Sequence, residues 1–161
     1  MKKSRRSGLT LIEVVIVAII MAVLAATIIP QFSASTKDAK MSNLKFNLHI
    51  VRSQLERYKE QHSGVYPPAA ANTDLANQLT EKTDQNTKLD PTNGACGPYL
   101  QDGIPLNPFN NSNTVAVIQG TAEPTAPTGS TDGWQYNPTT SWFFPNDPEY
   151  FRSNGSFANP N

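Results

Sequence analysis

The sequence predicts an α+β protein in which one long N-terminal α-helix, apolar throughout its first half, packs against a small antiparallel β-sheet with long loops. Three observations carry this expectation. Residues 9–29 form a run of 21 whose only polar members are Thr10, Glu13 and Thr27. From residue 32 to about residue 62, apolar side chains return every three or four positions, the period of an amphipathic helix. Beyond residue 113, three short runs of β-branched and aromatic residues stand between turn dipeptides.

The first run is long enough to cross a bilayer. At about 1.5 Å per residue it covers roughly 30 Å, the thickness of the hydrocarbon core. Lys2, Lys3, Arg5 and Arg6 precede it, which holds the N-terminus on the cytoplasmic side and sends the rest of the chain across. A carboxylate costs about 2.5–3.5 kcal/mol at the centre of such a helix and less near its end, so Glu13 calls for a partner. Pro30 closes the run.

The second run places Met41, Leu44, Leu48, Val51, Leu55 and Tyr58 on one helical face, which Phe46 and Ile50 are expected to widen. Charged residues lie between them, and Arg52 and Glu56 stand at the spacing of an attractive i,i+4 pair. Only about two and a half heptads are covered, so the face should pack on the protein's own head rather than in a free coiled coil. Ser63-Gly64 supplies a C-terminal stop and Pro67-Pro68 forbids continuation. After removal of a leader, the whole reads as one helix of about 80 Å, bent near Pro30.

In the remainder, Thr73-Asp74 caps a short helix expected over 73–83. Residues 84–113 are rich in turn dipeptides and read as a long loop, held by a partner or used in function, with Tyr99, Leu100, Ile104, Leu106 and Phe109 as anchors. Strands are expected over 114–119, 133–137 and 141–144, the last two joined as a hairpin. Trp134, Tyr136, Trp142 and Phe143 read as core rather than as a stacking surface for sugar. The tail from 146 reads as polar and irregular, with Tyr150, Phe151 and Phe157 as docking points.

With its Lys/Arg-rich leader, Gly8, the sequence Leu-Thr-Leu-Ile-Glu ending at Glu13, and an apolar helix ending at Pro30, the chain resembles the type IV pilin and type II secretion pseudopilin family. The resemblance implies a pilin-like fold with a prepilin leader at 1–8, a transmembrane and assembly helix at 9–30, and a globular head at 31–161 that includes the second half of the long helix. Prepilin peptidase would cut between Gly8 and Leu9 and methylate the new amine of Leu9. Glu13 would pair with the N-terminal amine of a neighbouring subunit, and Pro30 would mark a bend. Leucine stands at position 9 where the family most often has phenylalanine, an exchange of one apolar residue for another.

Residues 98–109 and 133–140 resemble the general-secretion-type major pseudopilins. That branch commonly binds calcium between its last strands. Here Asp132, Asp147 and Glu149 are the nearby carboxylates and the usual aspartate-rich spacing is absent, so no cofactor is expected and calcium is the one candidate. The implied role is that of a structural subunit, not an enzyme, of the pseudopilus filament of a type II secretion system. It would be a homopolymer made with an inner-membrane assembly platform and minor pseudopilins. The subunit would cross the bacterial inner membrane once, with its head in the periplasm. Two alternatives stand beside it: a type IV pilus or DNA-uptake (competence) pilin, and a signal-anchored periplasmic enzyme or binding domain. The absence of a second cysteine leans toward the pseudopilin, because surface pilins often close a C-terminal loop with two.

Composition excludes several classes. Four of the 13 Lys and Arg lie in the leader, so the mature chain carries nine against 13 acids, a net of −4, and gives no reason to expect nucleic acid. Cys96 has no partner within the chain and reads as a buried, inert thiol. His49 and His62 read as helix-surface residues, the latter favoured by the C-terminal dipole. No nucleophile motif or phosphate-cradling glycine loop is present. An ordinary cleaved signal, with a site at Val23-Leu24-Ala25, conflicts with Glu13 and with the helical pattern that resumes after Pro30.

Overall fold

The computed structural model describes residue 8 and residues 10–70, 72–120 and 131–154, with side chains at all of these except 30, 33, 72, 73 and 152–154. Among the described residues the elements run in the order α1 (Leu11–Gln61), α2 (Asn72–Thr80), β1 (Val115–Val117), β2 (Trp134–Asn137), β3 (Trp142–Pro145) and α3 (Pro148–Asn154). The chain divides into two compact units, Met1–Ala39 and Lys40–Asn161. The first contains the apolar part of α1, and the second the rest of α1 with every other element.

Helix α1 has 51 residues and is unbroken through Pro30. It stops where the sequence stops it. Ser63 and Gly64 turn left-handed at φ 55° and 89°, and the Gly64 N–H donates to the Lys59 carbonyl at 2.9 Å. The expected stripe forms the floor of the head's core: Leu44, Leu48, Val51, Leu55 and Tyr58 are buried, with Met41 and Ile50 packed at its margin. Leu75 and Leu79 of α2, Val115 of β1, Trp134 and Tyr136 of β2 and Phe143 of β3 close over it. Phe46 does not join this face and is 64% exposed, because it lies on the side of the helix turned away from the stripe.

The sheet differs from the expected antiparallel one. β2 and β3 form the anticipated hairpin, with Tyr136 opposite Phe143. β1 runs parallel to β2, Val115 opposite Trp134 and Val117 opposite Tyr136, giving the order β1-β2-β3. Parallel pairing needs a connection of about a dozen residues or more, and the stretch 118–133 supplies it. Alternation and β-propensity identify a strand but not its direction.

The tail also differs, since residues 148–154 form a helix where an irregular segment was expected. Asp147 caps it, its Oδ1 accepting from the N–H groups of Glu149 at 2.9 Å and Tyr150 at 3.1 Å, while Pro148 occupies the first turn where no N–H is needed. Tyr150 packs on the core and Phe151 stacks on Phe144 with ring centres 6.5 Å apart. Phe157 lies outside the described residues.

Arg52 does not pair with Glu56 as the spacing suggested. Its Nε donates to the Phe143 carbonyl at 3.0 Å and its guanidinium lies 4.6 Å from the centre of the Phe144 ring, so the side chain clasps β3 to α1. Glu56 turns to Lys59 at 3.8 Å and to the Tyr66 hydroxyl. The long loop after α2 is held by the chain itself. Tyr99 and Leu100 both donate N–H bonds of 2.8 Å to the Leu79 carbonyl at the end of α2, and Thr83 bridges to Leu89 and Cys96. Tyr99, Leu100 and Ile104 are the buried anchors and Phe109 packs at the margin, whereas Leu106 stays exposed.

His62 is the clearest correction, being 1% exposed rather than on the surface. It follows the last residue of α1, where the chain reverses and turns its ring inward. A carbonyl only accepts, so Nδ1 carries a proton and donates to the Tyr58 carbonyl at 2.7 Å, while Nε2 meets the Thr83 hydroxyl at 2.9 Å. The ring stacks on Tyr58 at 3.7 Å.

Three tyrosines are buried with their hydroxyls bonded inside the head: Tyr58 to Gln78, Tyr99 to Gln61 and Tyr136 to the Pro67 carbonyl, at 2.7, 2.8 and 2.9 Å. Burial raises all three above the usual tyrosine value, Tyr99 to about 12. The unfolded chain ionises these groups first, near pH 10, so their contribution is complete below about pH 10 and is lost as the pH rises above it, for Tyr99 through about 12. Denaturant unfolding followed by tryptophan emission should therefore give a lower midpoint at pH 11 than at pH 8. Equal midpoints would mean that the phenols are not buried. A Cβ on Gly133 would stand 2.0 Å from the Ser112 carbonyl oxygen, which is backbone and cannot swing aside. Gly133→Ala should cost on the order of 3 kcal/mol, read as a loss of midpoint in the same experiment.

Candidate functional site

The candidate site is the N-terminal segment, where a glycine, a carboxylate and an apolar helix come together. Gly8 is exposed, and a Cβ added there would meet nothing within 4 Å. Among the described residues no neighbour demands glycine at that position. Leu9 lies outside the described residues. Thr10 and Glu13 close the first turn of α1 on each other. Glu13 Oε2 accepts from the Thr10 N–H at 2.8 Å and from the Thr10 hydroxyl at 2.8 Å, and the Glu13 N–H donates to Thr10 Oγ1 at 3.4 Å.

This is a capping box, with the carboxylate at the positive end of the helix dipole. Sequence reasoning looked for the partner of Glu13 outside the chain and passed over the T-x-x-E spacing that signals this arrangement. Thr27 is also satisfied internally, donating to the Leu24 carbonyl at 2.9 Å. All three polar side chains of the run are thus bonded within their own helix, as a segment in hydrocarbon requires. The apolar side chains point outward on every side, from Leu11 at 82% exposed to Ile29 at 68%. The stretch is long and apolar enough to cross a membrane, and none of it is buried in the protein.

The remaining candidates are scattered. Asp147 is spent on the cap of α3; Glu149, in the first turn of that helix, and Asp132, just before β2, are half-buried. Among the described residues no three His, Cys, Asp or Glu side chains group in a way that could hold a metal ion. His49 is exposed on α1, far in role from the buried His62, and Cys96 is buried with its thiol 3.8 Å from the Gln61 carbonyl. Trp134, Tyr136 and Phe143 are core as expected, and Trp142 is half-buried. Sequence reasoning gave no role to Asn146 or Gln135, marked Asn110 only as an Asn-x-Ser match, and saw Asn107 only as part of a turn dipeptide. All four donate side-chain amide bonds across the C-terminal loops. Nothing in their spacing marks them, because their partners are carbonyls and an amide distant in sequence.

An all-round apolar helix behind a cationic leader and a glycine, followed by a small α+β head, defines a membrane-anchored subunit of the pilin class. Residues 3–29 match the prokaryotic N-terminal methylation motif. The chain is similar to the type II secretion system core protein G of Vibrio cholerae serotype O1, with 30% identity over 112 residues covering 69% of this chain and 71% of that one. It is similar also to the core protein G of Pseudomonas aeruginosa, 29% identical over 111 residues, and of Aeromonas hydrophila, 27% identical over 112, each match covering 69% of this chain and 73% of the relative. No solved structure matches. The chain belongs to the type II secretion system core protein G family, the major pseudopilins, and is a structural subunit of a pseudopilus. This reading is favoured over a pilus or competence pilin and over a signal-anchored enzyme. The relatives are named as secretion-system core proteins and not for an enzyme activity. The single apolar helix and the methylation motif fit a single-pass anchor in the inner membrane.

Proposed function

We propose that the chain is made as a precursor spanning the inner membrane once, with its head in the periplasm, and that prepilin peptidase cuts it after Gly8 and methylates Leu9. It then joins a homopolymer through an assembly platform and minor pseudopilins. The observation that carries this reading is a helix apolar on every face, exposed from Leu11 to Ile29, followed in the chain by a head with a core of its own from residue 41 onward. Such a helix can exchange lipid for neighbouring helices at little hydrophobic cost. Pro30 lacks the N–H that would bond to the preceding turn, and the helix bends there as it enters the filament.

Glu13 sets the register of assembly. While the subunit is alone, the bonds from Thr10 keep the carboxylate satisfied at the end of the span. Cleavage creates an amine at Leu9, and a neighbour displaced along the filament axis brings its own amine to Glu13. At about 4 Å and an effective dielectric of about 20 the attraction is about 4 kcal/mol, comparable to the cost of embedding the acid. Bulk hydrophobicity has no axial preference, so this contact is what fixes the stagger.

Two experiments test the proposal. The open surroundings of Gly8 mean that a side chain there leaves the subunit's own fold undisturbed, so Gly8→Val reports on processing alone. Intact mass should show the precursor retained with its leader; normal maturation of the variant would refute cleavage at this bond. Glu13→Leu should insert and be cleaved like the parent, yet be missing from sheared filaments and fail to support secretion. Filaments at the parental level would reduce Glu13 to a helix cap.

A further inference from the structure

We infer that the head holds its C-terminal loops together with a lattice of side-chain amides beside Asp132 and Asp147, two of the carboxylates considered for calcium, and that it takes no structural calcium there. Three loops meet at this end of the sheet: 107–112, 132–133 and 146–147. The Asp132 carbonyl accepts two bonds, from Asn110 Nδ2 at 2.9 Å and from Asn146 Nδ2 at 3.0 Å. The Gly133 carbonyl accepts from Asn107 Nδ2 at 2.9 Å and from the Asn146 N–H at 2.9 Å. Asn146 Oδ1 in turn accepts from Gln135 Nε2 at 2.7 Å. Asn107, Gln135 and Asn146 are buried, so these bonds are not traded freely with water.

Calcium requires six to eight oxygen donors, usually carboxylates and backbone carbonyls, converging on one point. Here the Asp132 and Gly133 carbonyls each already receive two N–H groups, and a cation between them would face the positive ends of amide dipoles. The carboxylate nearest in sequence to Asn146 is Asp147, and its Oδ1 is occupied by two backbone N–H groups at the start of α3. The residues present therefore do not fit the ion. They perform its mechanical task instead, because each amide joins one loop to another as a shared cation would. Asn107 and Asn110 also fold their own loop, Asn107 Oδ1 accepting from the Phe109 N–H at 2.9 Å and Asn110 Oδ1 from the Ser112 N–H at 3.1 Å. The arrangement leaves the stability of the head independent of the calcium level outside the cytoplasm.

The test uses the full chain in detergent micelles, with thermal unfolding read from tryptophan emission in millimolar calcium and in a calcium chelator. Trp134 stands on β2 directly beside the lattice and serves as its reporter. The parent should melt at the same temperature in both solutions. Asn146→Asp sets an oxygen against the Asp132 carbonyl and should melt lower in chelator by roughly 5 °C or more. Asn110→Ala removes two exposed bonds, one to the Asp132 carbonyl and one from the Ser112 N–H, keeps the fold, and should melt lower by about 2 °C. A rise in the parent's melting temperature on adding calcium would overturn the inference, and so would melting of both variants at the parental temperature. None of these readouts depends on filament assembly, so the inference can fail while the filament role stands.

Discussion

The head depends on one packing interaction, the burial of the stripe Leu44, Leu48, Val51, Leu55 and Tyr58 beneath α2 and the sheet. Each fully buried side chain of this kind contributes about 1.5–3 kcal/mol, a large part of the 5–15 kcal/mol by which a domain is typically stable. Tyr58 does more than fill space. Its hydroxyl reaches Gln78 on α2, its ring lies against His62, and Tyr99 from the long loop tilts onto it with ring centres 5.1 Å apart. Helix, second helix and loop are thereby tied at one residue.

Helix α1 serves two solvents along its length. Before the head, apolar side chains face outward on every side and the few polar ones are bonded to their own helix. Within the head, the same helix is apolar on one face only. Among the described residues, the core of the head is built from position 41 onward.

Unplanned association is a hazard for any protein built to polymerise, and β3 lies at the edge of its sheet. An edge strand offers unpaired backbone groups to other chains. Here Arg52 from α1 takes the Phe143 carbonyl, and the strand ends at Pro145, which has no N–H to offer. The amide lattice beyond it fastens the loops that lead into α3. At this end of the head, Arg52, Asn107, Asn110 and Asn146 all donate to backbone carbonyls.

Much of the organisation was legible in the residues alone. The span, the leader, the stop at Ser63-Gly64, the core stripe and the β2–β3 hairpin follow from local composition, from periodicity and from turn chemistry, all properties of neighbours in sequence. The T-x-x-E cap at Thr10 and Glu13 is equally local, its signal lying in the spacing of the two residues rather than in the charge of Glu13. What tertiary structure alone decided involves groups far apart in the chain. The parallel direction of β1 depends on how a sixteen-residue connection, 118–133, returns the chain to β2. The burial of His62 depends on Thr83 arriving above it, and the path of Arg52 depends on β3 lying within reach. The roles of Asn107, Asn110 and Asn146 depend on carbonyls at 132 and 133. A single sequence records which side chains can donate a bond, but a donor's partner is chosen only when packing has brought distant segments of the backbone together.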